Sequence, residues 1–292
     1  MPVILLTLAV ASVTALVAYV AVRRWPGADP ASPRGRWVTA EVKSHPGLAA
    51  FLRRRTDPAT ATGFALSVAV AAIVLAAVVV GVLLAMIRTE TGFARLDVNI
   101  ALWASRHATN GSTRFLRAVT QLGSTSVVIA LAVLVAIVAH RKAPARVLVA
   151  FLVLVIGGQN LLVNTVKWLV DRARPDFDPL GTFSGPSFPS GHSATAAAAF
   201  AAFALVLGRS RTRATKAVLA AVAVGLATAV AATRVLLGVH WFTDTVAGLA
   251  IGWAWFAVCS IAFGGRLLRF GAPVEVGVDT APAPAAGPAG QA

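Results

Sequence analysis

Seven long stretches of this chain carry no charged side chain, and that feature decides most of what it can fold into. They are Val3–Val22, Phe64–Ile87, Ala118–Ala139, Val147–Val166, Ser193–Gly208, Ala217–Thr233 and Thr245–Gly265. About 20 mainly apolar residues cross the ~30 Å hydrocarbon layer as a helix. The fifth and sixth stretches are shorter and begin in the interfacial zone. A segment in lipid must satisfy its own backbone hydrogen bonds. A helix does so, whereas barrel strands would show a two-residue alternation. The expected fold class is therefore all-α, a polytopic transmembrane helix bundle. Composition agrees: 58% of the residues are hydrophobic and 13% charged, against about 45–50% and about 25% in soluble domains. A disordered chain is excluded, and the composition argues against a soluble enzyme. The single cysteine, Cys259, excludes an internal disulfide and any cysteine-based metal site.

The formal net charge of +15 would suggest nucleic acid as the partner of a soluble chain. Here the basic residues stand mostly between apolar blocks, where they set orientation, so the bilayer and not nucleic acid is the expected partner. Seventeen of the 26 Lys and Arg fall on one side if the seven spans alternate. They lie in 23–63, 140–146, 209–216 and the tail. That side is read as cytoplasmic, in a multi-pass protein of the cell membrane with its N-terminus outside and its C-terminus inside. Residues 1–22 read as a membrane anchor. A cleaved leader is the alternative, but no positive charge precedes the apolar block, and Arg23-Arg24 follows it. Residues 23–63, with five prolines, read as a cytoplasmic linker and 266–292 as a disordered cytoplasmic tail. In 88–117, Phe93, Leu96, Ile100 and Trp103 recur at helical spacing among charges. That pattern gives an amphipathic helix, lying on the outer membrane surface or packed on the end of the bundle.

Charged and polar residues gather at the outer ends of three spans. Lys167 is followed seven residues later by Arg174-Pro175, about two helical turns on. Pro189-Ser190-Gly191-His192 precedes the fifth span, where a helix start leaves backbone N–H groups open to an anion. After the sixth span come Arg234, then His240 six residues on, and Asp244 four further, a spacing that lets Asp244 reach an imidazole nitrogen. Taken singly each has an ordinary explanation: a snorkelling cation, a satisfied histidine, a capping aspartate. Their joint placement on one face, found from loop charges alone, argues for one site.

The residue types define its chemistry. Lys167, Arg174 and Arg234 would neutralise a tetrahedral oxyanion, with the Ser190 and Gly191 backbone N–H groups completing the cradle. His240, held by Asp244, can attack phosphorus. His192 can protonate the leaving oxygen and then activate water. No metal and no cofactor is expected, because three fixed cations supply the positive charge.

These residues resemble the three signature motifs of the type 2 phosphatidic acid phosphatase (PAP2) superfamily: Lys167-x6-Arg174-Pro175, Pro189-Ser190-Gly191-His192 and Thr233-Arg234-x5-His240-x3-Asp244. The resemblance covers roughly 64–264 and implies a six-helix phosphatase domain over 64–265, with the first span an addition. Thr233 stands where the family usually has Ser, and its hydroxyl is expected to serve a phosphate oxygen. The family implies a metal-independent lipid phosphatase working through a phosphohistidine, with the roles given above. Relatives include undecaprenyl-pyrophosphate, phosphatidylglycerophosphate and lipid A phosphatases, so a membrane lipid phosphate or diphosphate is the expected substrate. Undecaprenyl pyrophosphate is preferred for an outer-facing site, with phosphatidate or phosphatidylglycerophosphate as the alternative. Two other readings are a vanadate-dependent haloperoxidase-like enzyme and a non-enzymatic binder or transporter of anionic lipid. The oriented His240 and the second histidine distinguish catalysis from binding.

Overall fold

Apolar runs opened by capping hydroxyls become helices in the computed structural model, which describes residues 1–24, 61–140, 145–176, 180–181, 185–209 and 211–269. Among these residues there are nine helices and no strand: α1 (Pro2–Arg24), α2 (Ala61–Thr89), α3 (Ala94–His107), α4 (Asn110–Gln121), α5 (Thr125–Ala139), α6 (Ala145–Val170), α7 (Gly191–Leu207), α8 (Arg213–Leu236) and α9 (Phe242–Arg269). Ser124, Ser190 and Thr212 start α5, α7 and α8 by accepting from Val127, Ser193 and Thr215 N–H. Each meets one of the donors that a helix start leaves open. Thr109 and Ser112 cap α4 reciprocally.

The multi-pass helix bundle expected from the sequence is present. α1, α6, α8 and α9 are each long and apolar enough to cross a membrane. α2 meets α3 at 76° and α4 meets α5 at 51°, so each pair can form one bent span. α7 has 17 residues, about 26 Å at 1.5 Å per residue. The seven apolar blocks fall on α1, α2 and α5 to α9, and the differences lie at their ends. The third block was expected to begin at Ala118, but 118–121 belong to α4 and the apolar helix begins at Thr125. The break falls at Gly123, where a Cβ would stand 2.5 Å from Val230 Cγ1 and 2.9 Å from the His192 carbonyl oxygen. Only glycine lets the chain pass so close. The stretch 88–117 is two helices, not one. α3 buries Asp97, Ala101 and Ala104 and packs on α8 and α9, while Phe93 and Leu96 face outward. Of the two readings, this is the helix packed on the bundle's end. The last helix continues to Arg269, past the expected start of the tail. The linker and tail otherwise lie outside the described residues.

The centre of the bundle is α7, whose Ala194, Ala196 to Ala199 and Ala202 are buried among α5, α6, α8 and α9. Lipid tails are as apolar as the side chains, so these helices are held by close packing and hydrogen bonds rather than by exclusion from water. Methyl groups built at Gly248 and Gly252 of α9 would lie 2.5 Å from the Ser190 and 2.4 Å from the Ala194 carbonyl oxygens. α9 therefore rides directly on the α7 backbone. The Thr195 hydroxyl donates to Gln159 Oε1 at 3.0 Å, joining α7 to α6. α1 runs antiparallel along α8. Arg213 donates to the Val22 carbonyl at 3.1 Å, Thr14 and Thr228 share a 2.7 Å hydrogen bond, and Val3 packs with Leu236 and Leu237.

Candidate active site

Three local devices bring the polar residues to one end of the bundle. α6 ends at Asp171, whose φ of 43° turns the chain while its N–H donates to the Lys167 carbonyl at 3.0 Å. This leaves Lys167 on the last turn and Arg174 in the following loop. α7 begins with Gly191 and His192, directly after the Ser190 cap. After α8, Gly238 takes a φ of 68°, a conformation that side chains disfavour. His240 N–H then bonds back to the Arg234 carbonyl at 3.2 Å, which holds His240 beside Arg234.

A cavity of about 870 Å³ lies at this end, and Lys167, Arg174, Gly191, His192, Arg234 and His240 all line it. Asn164, Trp168 and Asp171 of α6 and its end complete one wall. The first two cations are oriented by main-chain carbonyls. Lys167 Nζ donates to the Pro186 carbonyl. Arg174 donates to the carbonyls of Gly185 (2.8 Å), Pro186 (3.1 Å) and Val239 (2.6 Å). Burial holds the Arg174 guanidinium below its ordinary pKa, with the Asp244 charge opposing. Arg234 is 6% exposed and donates from Nη1 to the Thr120 hydroxyl at 3.2 Å. Its Nε is buried and has no protein partner among the described residues.

His240 is 3% exposed. Its Nε2 stands 3.2 Å from Arg174 Nη1, and its Nδ1 stands 3.4 Å from Asp244 Oδ2. A guanidinium can only donate, so the Nε2 contact requires a lone pair there and places the ring proton on Nδ1, facing the carboxylate. Burial pushes the imidazole pKa down to about 4 in spite of Asp244, which raises it. The ring is neutral at pH 7, with Nε2 toward the cavity. Asp244 is fully buried and heavily bonded. Oδ2 accepts from the Ser187 hydroxyl and, at 2.9 Å, from the Trp241 N–H. Oδ1 accepts from Arg172 at 2.6 Å.

Two expected phosphate ligands stand elsewhere. The Thr233 side chain is buried and its hydroxyl donates to the Val230 carbonyl at 2.6 Å, so it backs Arg234 and does not reach the cavity. A helical threonine readily bonds back into its own helix. The Ser190 N–H is taken by the Asp244 carbonyl at 3.0 Å, and its hydroxyl caps α7. Gly191 and His192, the first two residues of α7, line the cavity at a helix start, where backbone N–H groups lack helical partners. Spacing within the chain did not single out Ser187, Thr120, Arg172, Thr243 or Asp97 as partners in the site. For Asp97 a signal exists: an aspartate on the same helical face as two alanines has no place on a membrane surface unless that face is buried.

The chain is similar to known proteins. The model of the PAP2 superfamily matches residues 147–267. The chain is 33% identical over 159 residues to Phosphatidylglycerophosphatase B of Bacillus subtilis (strain 168), spanning 52% of this chain and 75% of that protein. It is 41% identical over 119 residues to Lipid A 1-phosphatase of Rhizobium johnstonii, spanning 37% of this chain and 45% of that one. Among solved structures it is similar to a transmembrane PAP2 type phosphatidylglycerolphosphate phosphatase from Bacillus subtilis. That match has a TM-score of 0.61 and 27% identity, and covers 69% of this chain and 98% of the other.

Proposed function

The chain belongs to the PAP2 superfamily and is a lipid phosphate hydrolase, and from that premise we propose that it works through a phosphohistidine on His240, with undecaprenyl pyrophosphate as its preferred substrate. The observation that carries the mechanism is the split environment of His240: a lone pair on Nε2 turned to the cations, and a proton on Nδ1 turned to a buried carboxylate. Pure binding of an anionic lipid needs no such arrangement. The substrate phosphoryl group takes the place where Lys167, Arg174 and Arg234 converge. The orphaned Arg234 Nε and the N–H groups of Gly191 and His192 gain an oxygen partner there. His240 Nε2 attacks phosphorus, the bond from phosphorus to the lipid-side oxygen breaks, and His192 gives that oxygen its proton. Asp244 stabilises the positive charge that forms on the ring. A water then loses a proton to His192 and attacks phosphorus. The P–N bond breaks, inorganic phosphate leaves, and both histidines return to their starting state.

Three fixed cations take the part that a metal plays in other phosphatases, so no metal enters this scheme. The cavity faces outside the cell in the topology set by loop charges, the leaflet where a lipid diphosphate carrier is recycled. The names of the relatives support phosphatidylglycerophosphate as the second reading. Purified protein in EDTA should release phosphate from a panel of undecaprenyl pyrophosphate, phosphatidylglycerophosphate, phosphatidate and diacylglycerol pyrophosphate, fastest from the first. Vanadate should inhibit. Fastest release from a monoester would replace the diphosphate reading, and turnover lost in chelator and restored by magnesium would overturn the metal-free scheme.

A further inference from the structure

One buried cluster beside the cavity has no part in the chemistry above. Asp97 of α3 is 2% exposed although its helix lies at the bundle's end. Its Oδ2 accepts from Arg172 Nη2 at 2.9 Å and from the Thr243 hydroxyl at 2.7 Å, and its Oδ1 from the Thr243 backbone N–H at 2.9 Å. Arg172 Nη1 donates in turn to Thr243 Oγ1 at 2.8 Å and to Asp244 Oδ1 at 2.6 Å. The guanidinium lies 5.3 Å from the Trp241 ring centre. Both arms of the Arg172 guanidinium are held by carboxylates and the Thr243 hydroxyl, so it is spent on these and not on phosphate.

Charge counting shows what the second carboxylate does. Asp244 paired with Arg172 alone would be a neutral pair, with little left to stabilise a positive ring on His240. Two carboxylates on one guanidinium leave one negative charge in excess, beside His240 and shielded from water, where Coulomb interactions are strong. The fork of Arg172 also fixes geometry. One arm holds Asp244 and the other is anchored 75 residues away, on Asp97. Thr243, held at both its N–H and its hydroxyl, pins the first turn of α9 next to Asp244.

We propose that Asp97 is a positioning residue: through Arg172 and Thr243 it fixes the orientation and the effective charge of Asp244, and so the attacking nitrogen of His240. This rests on the phosphohistidine reading. It ties turnover to the seating of α3, the helix whose Phe93 and Leu96 face outward.

The test is steady-state kinetics of purified Asp97→Asn, alone and combined with Asp244→Asn, with vanadate inhibition measured in parallel. Partners that orient metal-bound histidines are typically worth about 10–100-fold, and a loss of that order is expected for a residue that orients His240 through Asp244. Asp97→Asn should lower kcat by that order with KM unchanged, because the phosphate cradle is untouched, and should weaken vanadate inhibition in step, because vanadate takes the five-coordinate geometry with the His240 nitrogen at one apex. Added to Asp244→Asn it should cost nothing further, because the group it acts through is already gone. Arg172→Lys, which keeps the charge but loses the fork, should give the same kcat-selective loss and serves as the probe if Asp97→Asn does not fold. An unchanged kcat in both variants, the same fold-loss in both backgrounds, or a loss carried by KM would overturn the positioning role. Wild-type protein that releases no phosphate from any lipid of the panel would instead overturn the functional reading on which the role stands.

Discussion

His240 and His192 line one cavity, but only His240 has a carboxylate on its far nitrogen, and this difference separates their roles. His240→Ala removes the attacking atom. Acid-quench trapping with a labelled lipid phosphate should then find no phosphoenzyme. His192→Ala should still label, with turnover reduced by about 10²–10⁴-fold, the usual worth of general acid–base assistance. Label retained in His240→Ala would mean that the other histidine is the nucleophile. The sequence showed this pair because its geometry is local: His240 stands just before α9 and Asp244 in its first turn, only four residues apart. The partners of Ser187 and Asp97 were illegible for the opposite reason, although the burial of Asp97 had a signal of its own. Ser187 meets Asp244 across 57 positions and Asp97 meets Thr243 across 146, and no spacing rule spans such distances. Thr233 failed in a third way. Its type suited a phosphate oxygen, but its own helix offered a nearer acceptor in Val230.

Among the helices, the α7–α9 contact sets the geometry of the cradle, because α7 carries His192 and α9 carries Asp244. The contact has no room to spare. A methyl group at Gly252 would lie 2.4 Å from the Ala194 carbonyl oxygen and 2.8 Å from Ala197 Cβ. Overpacking of this kind typically costs about 1–3 kcal/mol. Gly252→Ala should therefore lower the unfolding midpoint in detergent and raise KM, by pushing the start of α7 away from the dyad. Gly157→Ala on α6, with nothing within 4 Å of the new methyl, should leave both unchanged. Equal effects would show that backbone propensity, not the close approach, explains the glycines. Helix existence was legible from apolar blocks, since lipid leaves the backbone no other choice. The start of α5 was less so. Ala118 and Val119 are apolar like Val127 and Val128 of α5, yet the passage of Gly123 beneath His192 and Val230 forces the break later. That constraint comes from α7 and α8, not from the segment itself.

For the molecule as a whole, we propose from the distribution of Lys and Arg a topology with the cavity outside and the C-terminus inside. A reporter fused after Arg269 should behave as cytoplasmic and one inserted in 176–186 as external. The same side for both would mean a wrong count of crossings and would move the cavity to the other leaflet. The sequence left the part played by α1 open, and the packing now supplies it. Val3 of α1 lies with Leu236, Leu237 and Val239 against the turn that presents His240, while the aspartate that orients His240 comes from α9, at the other end of the bundle's chain order. During synthesis the N-terminal part of a chain emerges first. α1 must therefore wait in the bilayer, without its main partner, until α8 has been inserted. The dyad needs both the turn after α8 and the first turn of α9, so a chain that has emerged only as far as α8 has no oriented His240.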